Sequence, residues 1–426
     1  VNKSDWDTYS FSNTYQSKEE EHKLKLVNNF SNTIKPKILA DIGCNDGIYS
    51  IESIKAGAKQ VIGFDVEKIR SRLTKESSIK KIEQATPVDL MLIETALSAK
   101  GSLSNSMLRF EERPEQLTMA KTIAETINSG IGDDQTRLIV EAGTGVGKSL
   151  AYLLPSVIYA LKNNKRIVVS TNTINLQEQL LTKDMPLVIE ALKDTDSIDI
   201  EKLRYTQLKG RDNYLCLNKL LRMRLTDKPT WTEGRLISKV LVWLRNTITG
   251  DKSELNLGSR GASAVWGRLS AQGSSLCKGI NGACFLRSAR DKASSSHLVI
   301  TNHSLLMADI ASDGSVLPDY DILIIDEAHH LEDSATRQLG FELNGNNIND
   351  HLSQVIAEKG ALHTGLKLFK ENKLSLSRIQ TLRKILSDIS EYIPKAREYT
   401  ASLLSSIEKV GSETQNNSSY NTNIIP

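Results

Sequence analysis

Glu141-Ala-Gly-Thr-Gly-Val-Gly-Lys-Ser-Leu150 is the stretch that decides how this chain folds. The apolar run Leu138-Ile-Val140 stands before it, and Leu150-Ala-Tyr-Leu-Leu154 carries the pattern of a first helical turn. Strand, glycine-rich loop and helix in that order make a phosphate cradle. Gly143, Gly145 and Gly147, with Thr144 between them, let backbone N–H groups converge on phosphate oxygens. The helix N-terminus adds its positive dipole end. Lys148 is placed to reach the β- and γ-phosphates, and the Ser149 hydroxyl to ligate Mg²⁺.

A second stretch far downstream completes the chemistry. Asp321-Ile-Leu-Ile-Ile325 is a buried-strand pattern that ends in Asp326-Glu-Ala-His329. A carboxylate there can hold Mg²⁺, and its neighbour can polarise an attacking water. Either stretch alone could arise by chance. Together they specify hydrolysis of a nucleoside triphosphate, on an α/β fold with a parallel sheet.

The rest of the composition is ordinary. The 426 residues are 39% hydrophobic and 25% charged, enough for two or three domains with a substantial core. A net charge of +3 does not announce nucleic acid, so any basic surface must be local. No apolar run has the length to span a bilayer, and Val1-Asn-Lys-Ser-Asp-Trp6 lacks the apolar core of a secretory signal. The expectation is a cytoplasmic protein with no membrane partner. Four cysteines in a chain of this length are not a disulfide scaffold, so their positions matter more than their number.

In chain order, Lys37–Asp41 and Gln60–Asp65 are strand patterns on either side of a helix over residues 48–56, with a tight turn at Gly43-Cys-Asn-Asp-Gly47. This βαβ pattern, closed by an acidic residue, suits a nucleoside cradle. It resembles the first motif of class I S-adenosylmethionine-dependent methyltransferases, which implies Asp41, Gly43 and Asp65 as ligand-binding positions. The resemblance stops near Glu67, before the further strands and helices that such an enzyme needs. Residues 1–67 are therefore expected to be a partial Rossmann-like segment without activity, and S-adenosylmethionine is not expected as a cofactor. Residues 68–86 have the polar character of a junction, and Cys44 that of a small packing residue.

Arg113-x-x-Gln116 precedes the phosphate loop at a distance that suits an adenine clamp, because a glutamine amide both donates and accepts. Arg166-Ile-Val-Val-Ser170 is a buried parallel strand. The hydroxyl and amide side chains of Thr171–Leu180 suit helix capping or contact with a nucleic-acid backbone. Lys209-Gly-Arg-Asp-Asn-Tyr-Leu-Cys216 then opens an insertion to about residue 296 that holds Cys216, Cys277 and Cys284. Basic and aromatic residues around them, including Arg211, Tyr214, Trp231, Trp243, Trp266, Phe285 and Arg290, suit a single strand whose bases stack on rings. For any one tryptophan, core packing is the simpler expectation.

His297–Leu306 returns to strand character. Ile379, Leu382, Ile385, Leu386, Ile389 and Ile393 recur at helical spacing, which predicts one core-facing stripe, and the tail 412–426 has a disordered composition.

The motifs Arg113-x-x-Gln116, Ala142–Ser149, Thr171–Leu180, Lys209–Cys216, Cys277–Arg290, Thr301-Asn-His303 and Asp326-Glu-Ala-His329 stand in an order that resembles the first motor domain of DinG/XPD-like superfamily 2 DNA helicases. The resemblance covers about residues 87–340, with 341–411 similar to the start of the Arch domain. It implies a RecA-like motor domain that binds ATP and Mg²⁺, moves 5′ to 3′ on single-stranded DNA and serves DNA repair. Lys148, Asp326, Glu327 and His329 are then the catalytic positions, and Ser149 and Asp326 the Mg²⁺ ligands. It also implies a 4Fe-4S cluster in the mostly helical insert 209–296, which takes four cysteine ligands in the family. Here Cys216, Cys277 and Cys284 are the three present.

The family completes the nucleotide site with arginines from a second motor domain, which the sequence to Pro426 does not reach. This chain is therefore expected to bind ATP and DNA and to turn ATP over poorly. Two other classes stay open on the residues alone: a methyltransferase with an accessory ATPase region, and a non-catalytic module that binds ATP and nucleic acid.

Overall fold

A computed structural model describes residues 17–42, 47–64, 85–99, 110–131, 136–223, 230–339 and 376–415, with breaks at 144, 259, 274–278 and 280–281. Parts of 69–73 and 101–104 and a few isolated positions are also described. Gly43, Cys44, Asp65, Thr144, Cys277 and the tail from 416 lie outside the described residues. The chain divides into two units, residues 1–339 and 340–426.

In the first unit, α1 (Ser17–Ile34) precedes a small βαβ element: β1 (Leu39–Ile42), α2 (Ile48–Lys55) and β2 (Val61–Phe64). β1 and β2 are parallel, with Leu39 opposite Val61. A one-helix crossover is the ordinary way to join parallel strands. Ile69 and Leu73 follow, in the stretch with junction character, and both pack into the core of the insert. Beside them Arg72 donates through Nη1 to the Arg245 carbonyl at 2.6 Å and through Nη2 to that of Leu244 at 3.0 Å, satisfying carbonyls at a helix end.

The main body starts with α3 (Leu90–Ala96), α4 (Pro114–Ser129) and α5 (Lys148–Asn163). Pro114 opens α4, where its missing N–H has no intrahelical partner to lose. Next come β3 (Ile167–Thr171), α6 (Ile174–Gln179), a π-helical turn over Leu180–Asp184, α7 (Met185–Leu192) and β4 (Tyr205–Gln207). The insert contributes α8 (Leu217–Met223), α9 (Trp231–Leu244), α10 (Arg260–Leu269) and α11 (Phe285–Ser294). β5 (Leu298–Asn302), α12 (His303–Ile310), β6 (Ile322–Ile325) and α13 (Leu331–Leu339) complete the unit.

The main sheet is parallel, in the order β4-β5-β3-β6, with Ile167 opposite both Leu298 and Ile322. This α/β arrangement is compatible with a RecA-like domain. β3 is buried along its whole length, as a central parallel strand covered on both faces must be. Its lower side packs on α5, whose residues Ala151–Ala160 are all buried. α5 is bounded by left-handed backbone at both ends, Gly147 at φ 86° and Asn164 at φ 51°.

Two expectations are corrected here. Leu138–Val140 is not a strand: the three residues are 40%, 97% and 40% exposed and pair with none of the described strands. A strand forms only where a neighbour completes its backbone ladder, and β6, whose apolar side chains lie in the same cavity, has β3 as its one described neighbour. The stripe on the long helix α14 (Leu376–Gln415) of the second unit is not a core face throughout. Ile393 is buried, but Ile385 and Ile389 are exposed, because no described residue covers them; the side chains of Ile379, Leu382 and Leu386 lie outside the described residues. No helix among the described residues is long and apolar enough to cross a membrane.

The insert has a core of its own. Leu220, Leu236, Val240, Leu244, Val265, Trp266, Leu269 and Phe285 pack together, and Trp266 meets Trp243 edge-on at 6.3 Å. Trp266 also donates its ring N–H to the Asp212 carbonyl at 2.7 Å, and Trp243 donates to Glu254 Oε2 at 2.8 Å. Trp266, Phe285 and Tyr214 are thus core residues and have no face for a base to stack on; Trp231, 85% exposed, has one.

A histidine ties the sheet to its surroundings. His297, just before β5, accepts at Nδ1 from the Arg204 N–H (3.1 Å) and donates from Nε2 to Asn164 Oδ1 (3.0 Å), which fixes a neutral ring. Burial, then the nearby Arg204 and Arg166 charges, lower its pKa from 6.5 to about 4. A folded value below the unfolded one means the stabilisation is whole above pH 6.5 and is lost as pH falls towards 4. Urea unfolding should show a His297-specific loss approaching about 3 kcal/mol across that window. His297→Gln should flatten that part of the profile, and a variant with the parent's slope would dismiss the assignment.

Candidate functional site

The carboxyl ends of parallel strands are where an α/β sheet leaves room for a ligand. Here β3 ends in Thr171, β5 runs into Asn302 and His303, and β6 runs into Asp326 and Glu327. The phosphate loop lies over the same end and leads into α5 at Lys148. Gly145 (φ 88°) and Gly147 (φ 86°) take left-handed backbone that side chains rarely adopt. A Cβ on Gly147 would also strike the Gln116 amide.

Arg113 and Gln116, at the start of α4, are both brought onto the loop. Arg113 Nη1 donates to the Gly145 carbonyl and Gln116 Nε2 to the Gly147 carbonyl, each at 2.9 Å. Carbonyls aimed away from the cradle leave the loop amides free to face the other way, which is the orientation anions require.

Lys148 Nζ donates to Glu327 Oε1 at 3.0 Å, so the two motifs meet directly. This ion pair holds the Glu327 carboxyl below the usual range. Glu327 is itself left-handed, at φ 54°, a conformation uncommon outside glycine and found where function requires it. Asp326 is tied to β3: its N–H donates to the Ser170 carbonyl at 2.8 Å, and Thr171 Oγ1 donates to Oδ2 at 3.4 Å. Burial, followed by the charge of Glu327, raises its pKa. A positive charge beside it would favour its ionised form. His329 Nδ1 is 3.5 Å from Glu327 Oε2 and its ring lies 4.0 Å from that of His330. A cavity of about 880 Å³ is lined by Lys148, Asp326, Glu327 and His329 on one side and by Leu138, Val140 and β6 along its floor.

His303 of the Thr301-Asn-His303 motif also contributes, as do two residues outside the motifs, Tyr152 and Asp184. His303, fully buried, contacts Ser170 Oγ through Nδ1 (2.8 Å) and the Glu327 carbonyl through Nε2 (3.4 Å), so it braces β6 against β3. Burial lowers its pKa, so it acts as a neutral prop. Tyr152, one turn beyond Lys148 and 4% exposed, turns its hydroxyl towards Ser149 and Asp326. Asp184 does the same from the π-helical turn. Thr-Asn-His at a strand end was a visible signal for His303; Tyr152 and Asp184 had none. The residues Ser149 and Asp326, with buried unpartnered oxygens at Tyr152 and Asp184, fit a hydrated Mg²⁺, which takes few protein ligands and keeps several waters.

The other expected sites fare differently. Asp41 is engaged by the Ser50 hydroxyl at 2.6 Å, and its partners Gly43 and Asp65 lie outside the described residues. Cys216 is buried among Tyr214, Ala271, Leu286 and Ala289, while Cys284 sits half-buried at the start of α11; neither is in a disulfide. Among the described residues no three cysteine, histidine or acidic side chains are grouped to hold a metal ion. Cys277, the third expected thiolate, lies outside the described residues, and no step is derived through an iron-sulphur group. In Thr171–Leu180, Gln177 is buried and donates to the Leu208 and Ile300 carbonyls at 2.9 and 2.8 Å, a structural tie; Thr173, Asn175 and Gln179 are exposed.

No family model matches the chain. Among curated proteins it is similar to the "3'-5' exonuclease DinG" of Bacillus subtilis (33% identity over 292 residues, 68% of this chain and 30% of that protein). It is also similar to the "ATP-dependent helicase DinG" of Mycobacterium tuberculosis (36% over 250 residues, 54% of this chain and 36% of that protein). A third relative is the "ATP-dependent DNA helicase YoaA" of Haemophilus influenzae (33% over 325 residues, 73% of this chain and 47% of that protein). The matched stretches thus span between 30% and 47% of these relatives' own lengths.

Proposed function

We propose that this chain carries the ATP-binding motor domain of a DinG-like ATP-dependent DNA helicase, which moves 5′ to 3′ on single-stranded DNA in the cytoplasm. The observation that carries the proposal is the meeting of Lys148 with Glu327 at 3.0 Å, with Ser149 and Asp326 beside them at the carboxyl end of a parallel sheet. The helicase relatives support it, and the two named ATP-dependent point to ATP as the nucleotide. The relative named as an exonuclease does not change the chemistry of these side chains, which is that of triphosphate hydrolysis.

The loop amides and Lys148 bind the β- and γ-phosphates, and Arg113 and Gln116 lie where they can recognise the adenine. Ser149 and Asp326 would hold Mg²⁺, which would supply positive charge against the charge that develops on the phosphates. Glu327 orients the attacking water and accepts its proton; His329 keeps the Glu327 carboxylate in place. Before nucleotide arrives, Lys148 is satisfied by Glu327, so the incoming γ-phosphate takes over the lysine and releases the carboxylate for the water. Thr173, Asn175 and Gln179 are exposed beside the site and suit phosphates of a DNA strand, with Trp231 as a stacking ring on the insert.

The test is phosphate release by the full chain with and without single-stranded DNA. DNA-dependent release that vanishes in Lys148→Ala supports a motor. ATP binding with no release under any DNA leaves a binding module instead and defeats the proposal.

A further inference from the structure

The π-helical turn Leu180–Asp184 interrupts what would otherwise be one helix from α6 into α7. Single π-turns of this kind shift every later side chain around the axis and recur at functional sites. Here the turn ends on Asp184, whose carboxylate faces the Ser149 hydroxyl and the Asp326 charge. Asp184 Oδ2 is buried and has no hydrogen-bond partner. A second orphan stands against it: the Tyr152 hydroxyl, on a side chain 4% exposed, is also without a partner while lying near Ser149, Asp326 and Asp184.

Two buried, unsatisfied oxygens around one hydroxyl and one carboxylate are costly unless something polar fills the space between them. Water bound to a cation does so, because each such water offers two strong donors and the cation's charge favours carboxylates nearby. The alternative of a direct Asp184–Asp326 contact places like charges together and leaves both orphans as they are.

We propose that Asp184 is a positioning residue of the divalent-cation site, holding, with the Tyr152 hydroxyl, water molecules of a cation carried by Ser149 and Asp326. This rests on the assignment of Ser149 and Asp326 to that cation. The π-turn is then the device that turns Asp184 into the site.

The full chain, a fluorescent non-hydrolysable ATP analogue and Mn²⁺ as the probe provide the test. In the parent, Mn²⁺ should strengthen analogue binding. In Asp184→Asn, the concentration of Mn²⁺ needed for that effect should rise about 10- to 100-fold, with analogue affinity in the absence of metal unchanged. Tyr152→Phe should shift it in the same direction by less, and proton relaxation by bound Mn²⁺ should report altered water exchange in both. Mn²⁺ dependence in both variants equal to the parent's would overturn the proposal, whatever their stability. If the parent shows no more Mn²⁺ effect than Asp326→Asn, the cation assignment itself fails, and Asp184 falls with it.

Discussion

Glu327→Gln should lower DNA-stimulated phosphate release by about 10²- to 10⁴-fold, the usual contribution of a general base, while ATP binding survives. The side chain keeps its size and its place beside Lys148, 3.0 Å away in the parent, but an amide cannot take a proton from water. Binding should hold or tighten, because Lys148 loses a carboxylate competitor and turns more readily to phosphate. Lys148→Ala has the opposite profile, with binding lost first. Measuring analogue affinity and single-turnover hydrolysis on the same variant separates the two effects. A Glu327→Gln chain that turns over as fast as the parent would remove this residue from the chemistry and leave the αL geometry at Glu327 without a purpose.

Lys209→Met should destabilise the first unit by about 3–5 kcal/mol, the cost of leaving a buried charge without its partner. The Lys209 ammonium is fully buried and makes three contacts: Asp251 Oδ2 at 2.7 Å, Glu178 Oε1 at 2.9 Å and Ser253 Oγ at 3.3 Å. Glu178 is on α6 beside the nucleotide site, whereas Asp251 and Ser253 belong to the insert. One side chain thus ties the insert to the helix that follows β3. Methionine fills the space but abandons Asp251, whose side chain is 6% exposed; Glu178, at 40%, can turn to solvent. Urea unfolding of the full chain gives the number. Adding Asp251→Leu to Lys209→Met should return much of the loss, since two apolar groups satisfy each other. A single variant within experimental error of the parent would show that the contact contributes nothing to the fold.

What the sequence disclosed depended on whether the cause was local. Gly145, Gly147 and Lys148 announce the loop and the start of α5 because the needed backbone angles and the helix start are properties of neighbouring residues. The apolar runs of β3 and β5 are legible because a parallel strand buried on both faces must be apolar throughout; β6 carries the same buried-strand pattern but is only half-buried, because it has one described neighbour and faces the cavity. Asp326 and Glu327 follow from their place after such a run. Leu138–Val140 has the same apolar pattern and yet forms no strand, because pairing is decided by a neighbour that no local pattern encodes. Trp266 and Phe285 sit amid basic residues in sequence, as a stacking surface would, but in space they face one another's core. Asp184 was hidden for a third reason: an aspartate in a helical stretch reads as a solvated face, and only the extra residue of the π-turn turns it inward.

The open flank of β6 beside Leu138–Val140 has a consequence for the material properties of the molecule. Among the described residues, this parallel edge with an apolar strip, one residue of it 97% exposed, has no strand paired to it and offers backbone donors and acceptors to an extended peptide that comes near. Nothing in the strip supplies the lysine, proline or bulge with which natural edges discourage such encounters. Crowding then favours copies that zip together edge to edge, so a preparation of this chain should stay clear for less time as its concentration rises.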